Sequence, residues 1–249
     1  MKKALLALLV SVAGFAQAGA PAAKAPAPVA PVDDSLGFSA TIGYDSKYIF
    51  RGVDYGDSLI TASLSIPLKL TDNLTFTFAP WYGSAAGGGR FTEDYDELDL
   101  FAGLAYDAGF ATLGVGYTWY YFPFSGFDTS EPSITIAKSF GSVNWFAGAY
   151  LDVEADAGSE GFYYETGLNT SIAVTDKLSI VPEAKISYGT DYYGVDGFNN
   201  VVLKLGLPYA LTKTATLTPY VAGSIAIDSL EELGEDNYLI GGVSLTVTF

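Results

Sequence analysis

Asp45, Lys47, Asp99, Asp152, Glu165, Glu183, Lys185 and Lys204 each stand inside a stretch that alternates apolar and polar residues, always on its polar side. Positions two apart on a strand point the same way, so these charges, together with Asn144, Tyr150, Tyr163 and Asn169, are expected on one inner face of a sheet. Charges of both signs there allow two arrangements. They line a hydrated path in which acids favour cations, or Lys and Glu pair across the space and plug it. Arg51 shares the direction of Lys47 and Asp45 and would complete a charge cluster at one mouth. It would serve either as a solute contact or as an ion-pair clasp holding the first loop against the wall.

Other chemistries find no support. The chain contains no histidine and no cysteine, which removes the commonest general base, the commonest transition-metal ligand and any thiolate. Asp152 and Glu154 share a strand face, as any two inward acids would. Gly87-Gly88-Gly89 is followed by no Lys-Ser/Thr pair and no helix signal, so it is a flexible loop rather than a phosphate cradle. An enzyme is not expected, and no cofactor is implied. The formal net charge of −16 argues against nucleic acid as a partner.

The elements that would position these charges follow from the alternation itself. Hydrophobic residues make up 49% of the chain, yet nothing after residue 18 is a continuous apolar run long enough for a membrane helix. Alternating segments resolve this: one face meets lipid and the other water, and only a closed barrel satisfies a β-backbone within a bilayer. About twelve segments are legible, from Phe38–Phe50 to Leu239–Phe249, the last ending on a terminal Phe with apolar residues at alternate positions. Tyr48 and Phe50 are placed on the lipid face of the first. Lys138 falls on the lipid face of the sixth, where it would snorkel to the membrane edge. Pro182 and Pro219 interrupt two strands and suggest bulges or local edges there. A soluble sandwich or lipocalin-like barrel would also alternate, but the terminal Phe, an aromatic group (Tyr82, Trp119, Tyr121, Tyr164, Tyr188) at one end of the strands and the loop asymmetry favour the membrane.

The N-terminus fits export. Met1-Lys2-Lys3, an apolar run to Phe15 and Ala16-Gln17-Ala18 read as a cleaved signal peptide over residues 1–18. Its removal takes away two lysines. Residues 19–34 are rich in Ala and Pro and read as an extended periplasmic linker, leaving 35–249 as the barrel.

Short connections are expected near 71–73, 107–109, 141–142, 175–177 and 211–215, and longer ones near 52–58, 84–97, 122–132, 155–161, 190–199 and 228–237. Short periplasmic turns and longer extracellular loops are the usual arrangement. Acids concentrate in the longer set: Asp54, Asp57, Glu93, Asp94, Asp96, Glu97, Asp128, Glu131, Asp156, Glu160, Asp191, Asp196, Glu231, Glu232, Glu235 and Asp236. They lack the spacing of a calcium loop and are expected to bridge divalent cations loosely at most.

Ser46-Lys47-Tyr48-Ile49-Phe50-Arg51-Gly52 resembles the S-K-Y-x-F-R-G stretch near the mature N-terminus of the TorF-type porins, bacterial outer-membrane proteins. The match covers these seven residues; the signal, strand rhythm and terminal Phe agree at the level of class. The resemblance implies a small outer-membrane barrel acting as a pore, and it supplies no substrate.

The expectation is thus an all-β, transmembrane, antiparallel up-and-down barrel of about twelve strands in a Gram-negative outer membrane, in contact with its lipid. It would pass small hydrophilic solutes or ions passively and favour cations. The alternative is a non-conducting structural or adhesive barrel with acidic surface loops.

Overall fold

A computed structural model describes residues 37–88, 94–123, 126–155 and 159–249, with the side chains of 154, 155 and 159 left out. The signal and linker segments, Glu93 and Asp156 lie outside the described residues. The protein is a closed antiparallel barrel of twelve strands. In chain order these are β1 (Ser39–Phe50), β2 (Val53–Lys69), β3 (Leu74–Ala86), β4 (Tyr95–Asp107), β5 (Thr112–Phe122), β6 (Phe127–Phe140), β7 (Val143–Ala155), β8 (Ser159–Thr170), β9 (Ser179–Thr190), β10 (Gly197–Gly206), β11 (Ala215–Ala226) and β12 (Tyr238–Thr248). A single helical turn, α1 (Ser229–Glu232), lies between β11 and β12. Each strand pairs with its sequence neighbours, and β1 pairs with β12 from Ser39↔Thr248 to Asp45↔Gly242 to close the ring. Phe249 seals that seam. Its N–H donates to the Phe38 carbonyl at 2.9 Å, and the two rings stack at 5.5 Å.

Alternation builds an inside and an outside. Ile42, Ile60, Ile134 and Leu239 are 60%, 62%, 63% and 75% exposed, whereas Leu59, Phe101, Tyr163 and Ile240 on the opposite face are nearly fully buried. An apolar belt this extensive exceeds what water tolerates on a monomer and is the lipid-facing surface of a transmembrane barrel. No helix among the described residues is long and apolar enough to cross a membrane.

At one end, threonines build the turns. The Thr71 hydroxyl accepts from Leu74 N at 3.1 Å, Thr175 from Leu178 N at 3.0 Å and Thr212 from Ala215 N at 2.9 Å. These side chains occupy backbone donors that the strands have just released. We call this the turn end, and the opposite end, with connections 87–94, 191–196 and 227–237, the loop end.

Several loop-end stretches read as loops are strand. Residues 53–58 belong to β2, 127–132 to β6, and 155 and 159–161 to β7 and β8. Their polar residues sit on strands that extend past the apolar belt, where alternation no longer shows as hydrophobicity. The prolines cause no register break either. Pro182↔Leu205 and Pro219↔Val243 are in register, and the irregularity of β9 falls at Ile186/Tyr188.

Candidate functional site: the lumen and the hairpin that crosses it

The first hairpin leaves the wall. β1 pairs with β12 only as far as Asp45, and β2 pairs with β3 regularly only from Ile60, with Asp57↔Ala86 beyond a register shift. Beyond Lys47↔Asp57 the two strands pair only with each other, through Tyr48↔Gly56, Ile49↔Asp54 and Phe50↔Val53. A bulge at Tyr48/Ile49 and the left-handed backbone of Ser58 (φ 54°) bend the arm away from the sheet. The tip is a two-residue turn in which Arg51 (φ 50°) and Gly52 (φ 92°) both have positive φ, as a type I′ hairpin requires.

The arm points inward, because both of its faces are buried. Tyr48 and Ile49, on opposite faces of β1, are 1% and 2% exposed. Tyr48 packs with Leu59, Trp81 and Ala85, Ile49 with Ala222 and Ile240, and Val53 with Ala226 and Leu230. The lipid-facing placement of Tyr48 and Phe50 is therefore corrected. Strand parity holds while β1 is part of the wall, but beyond Asp45 the strand leaves it for the interior and both faces are enclosed, so Tyr48 lies inside, where its hydroxyl donates to Glu97 Oε2. Phe50 lies edge-on to Tyr55 and Tyr120.

Arg51 reaches the far wall. Its guanidinium forks onto Glu131 of β6, with Nη2 donating to Oε2 at 2.8 Å and Nη1 donating to Oε1. Starting from β1, β6 to β8 lie halfway around the ring, so the hairpin spans the lumen. Four rings surround the cation: Tyr163 at 4.2 Å, Tyr192 at 4.6 Å, and Tyr150 and Phe50 at 4.9 Å. Glu131 also accepts from the hydroxyls of Tyr120 and Tyr192, each at 2.8 Å. Burial pushes the phenols of Tyr192 and Tyr193, in the 191–196 loop, well above their ordinary value, so both remain donors. Tyr193 donates to the Phe50 carbonyl at 3.1 Å. Gly52 has no room for a side chain, since a Cβ would meet Leu230 of α1 and the Asn200 side chain.

The charges expected on the inner face are there, but they form separate groups. Asp45 accepts from Tyr220 at 2.6 Å, and Lys204 lies 4.1 Å over the Tyr220 ring. Glu183 and Lys204 are cross-strand partners, and Lys185 donates to Glu165 at 2.9 Å. A belt of alternating sign therefore runs around β8–β11 to β1. Lys47 bridges Asp54 and Asp57 within the hairpin arm, both at 2.8 Å. The expected cluster of Asp45, Lys47 and Arg51 is thus dispersed, because the arm bends between Lys47 and Arg51. Asp152 accepts from Thr129. The other half-wall is acidic. Asp99 is 1% exposed, accepts no hydrogen bond among the described residues, and lies within electrostatic reach of Glu97 and Glu131.

Three acids read as loop residues belong to this interior. Asp54, Glu97 and Glu131 are 6%, 3% and 1% exposed. The signal was present in the alternation: Glu131 shares the parity of Ser133 and Thr135 against Ile134 and Ile136, and Glu97 that of Asp99 against Leu98 and Leu100. Tyr120 and Tyr220 share the inward parity, against Trp119/Tyr121 and Pro219/Val221, but tyrosines also fill the outer belt, and Tyr192 lies in a loop with no parity to read. Among the described residues, no three acids converge as a metal site would need.

No protein-family model matches this chain, and no curated protein sequence matches it. Solved structures do match in fold. The COG4313 outer membrane channel from Pseudomonas putida F1 has a TM-score of 0.57 and 14% identity, covering 89% of this chain and 100% of that one. The NanC porin has a TM-score of 0.52 and 10% identity over 85% of this chain and 98% of its own. The KdgM porin, solved in complex with disordered oligogalacturonate, has a TM-score of 0.50 and 11% identity over 85% and 99%. At such identities the likeness is one of fold, that of outer-membrane barrels. The TorF-type resemblance rests on Ser46–Gly52 alone, the segment that forms the inward arm and its tip.

Proposed function

We propose that the protein is an outer-membrane, porin-like channel through which small hydrophilic solutes or ions pass passively, with a preference for cations. The observation that carries this reading is a closed barrel with an apolar outer belt and a charged inner wall on which acids exceed bases. Arg51, Lys47, Lys185 and Lys204 each lie against an acid or a ring that an acid holds, while Glu97 and Asp99, buried in the inner wall, have no basic partner within hydrogen-bond distance among the described residues. A fixed negative field in a narrow, low-dielectric path raises the local cation concentration and disfavours anions. Residues 1–18 would act as the export signal and 19–34 as the periplasmic tether, which puts the turn end in the periplasm and the acidic loop end outside.

The hairpin supports a second reading, a barrel that does not conduct. An arm crossing the lumen and clasped to the far wall is what a plug requires. Conductance in planar bilayers separates the two. With a tenfold KCl gradient, discrete steps and a reversal potential of cation sign are expected. Heat-modifiable, folded protein that gives no steps would favour the plugged barrel.

A further inference from the structure

The cage around Arg51 belongs to the wall and not to the hairpin. Glu131, Tyr120, Tyr150 and Tyr163 come from β5 to β8, and Tyr192 from the 191–196 loop; only Phe50 travels with the arm. If the tip withdraws, a carboxylate and four tyrosines stay in place around a vacant, cation-shaped space. A buried carboxylate without a counter-charge is unfavourable, and ring faces attract weakly hydrated organic cations in particular. The carboxylate is set to accept two parallel N–H bonds, which a guanidinium supplies and an ammonium does not. Acids at the same end, among them Asp94, Asp96, Asp128 and Asp191, would concentrate cations near the entrance.

We propose that the Glu131 cage is a binding site for small guanidinium-bearing cations, and that Arg51 is its tethered resident occupant. This deepens the channel reading and rests on it for the route by which such a cation arrives. Solute and tip then compete for one site, so a guanidinium compound at the loop end holds the arm out of the lumen. The chemistry named is the guanidinium group. Nothing in the cage distinguishes the chain or ring that carries it, which would take the space that the withdrawn tip leaves.

The test is chemical rescue of Arg51→Ala, read as the unfolding midpoint of the purified barrel in detergent, with ethylguanidinium and ethylammonium chloride as probes. Arg51→Ala should melt below the wild type. Ethylguanidinium at millimolar concentration should restore the midpoint saturably, with half-saturation roughly tenfold lower than for ethylammonium. Wild type, whose site is filled, and Arg51→Ala/Glu131→Gln should not respond. No response in Arg51→Ala, or the same response in the double variant, overturns the proposal. Should Arg51→Ala fail to form a heat-modifiable barrel, Arg51→Gln carries the same measurement, because glutamine keeps a long side chain and leaves Glu131 without a counter-charge. Binding is read independently of current. Rescue in a barrel that never conducts would leave the site standing and remove the channel reading, whereas conductance without rescue would do the reverse.

Discussion

Replacing Glu131 by Gln tests what holds the arm across the lumen. The substitution keeps the shape of the side chain and removes its charge. It leaves Arg51, whose side chain is 7% exposed, without a counter-ion among the rings of the cage. Removing one partner of a buried ion pair costs about 3 kcal/mol at the low end of the usual range. The barrel wall need not bear this cost, because the hairpin can withdraw and rehydrate Arg51. The equilibrium between tip seated and tip withdrawn should therefore shift by on the order of 100-fold, since each 1.4 kcal/mol is a factor of ten. Trypsin reads this shift directly. The Arg51–Gly52 bond is inaccessible in the seated state and exposed in the withdrawn one, and cleavage tracks the withdrawn population when reseating is fast. Mass spectrometry of the nicked barrel should find cleavage at that bond about 100-fold faster in Glu131→Gln than in wild type. Tyr192→Phe removes one hydrogen bond to the carboxylate, about 1.5 kcal/mol, and should accelerate it about tenfold. Equal nicking rates in wild type and Glu131→Gln would refute the claim that the ion pair holds the tip.

Other expectations concern selectivity, seating and closure. Glu165→Gln should lower the cation preference read from the reversal potential, and Lys204→Gln should raise it, since each removes one inner-wall charge of opposite sign. Gly52→Val places a branched side chain at φ 92° and against Leu230 and Asn200; tryptic nicking after Arg51 should rise while the barrel keeps its heat-modifiable mobility. Phe249→Ala loses the stack on Phe38 at the β1–β12 seam, worth about 1 kcal/mol. It should lower the unfolding midpoint by a few degrees without changing conductance.

The barrel was legible because lipid and water impose a period of two on every segment, and that period survives in Ile42/Tyr44, Val115/Tyr117 and Leu203/Leu205 without knowledge of any partner strand. The inward direction of Asp45, Glu165, Glu183 and Lys204 followed from the same parity. The hairpin was not legible, because its direction depends on contacts distant in sequence: Arg51 with Glu131, and Val53 with Leu230. Parity also misleads at Tyr48, where β1 has left the wall and both of its faces are enclosed. Glu97 and Glu131 continue the inward parity of Asp99 and Ser133, but strands beyond the lipid belt lose their apolar face, so hydropathy alone does not mark where strand gives way to loop.

The most direct test of the account compares wild type with a variant in which Tyr48–Asp57 is replaced by Asn-Gly, so that Lys47 and Ser58 join through a tight turn. Both are recorded side by side in planar bilayers across a salt gradient. The trimmed barrel is expected to give larger steps than wild type and to keep the cation-signed reversal potential, because the arm is the obstruction and the inner-wall acids remain. Steps of equal size in the two proteins would contradict the arm as the narrowest point, and a trimmed, folded barrel that gives no steps would contradict the channel itself.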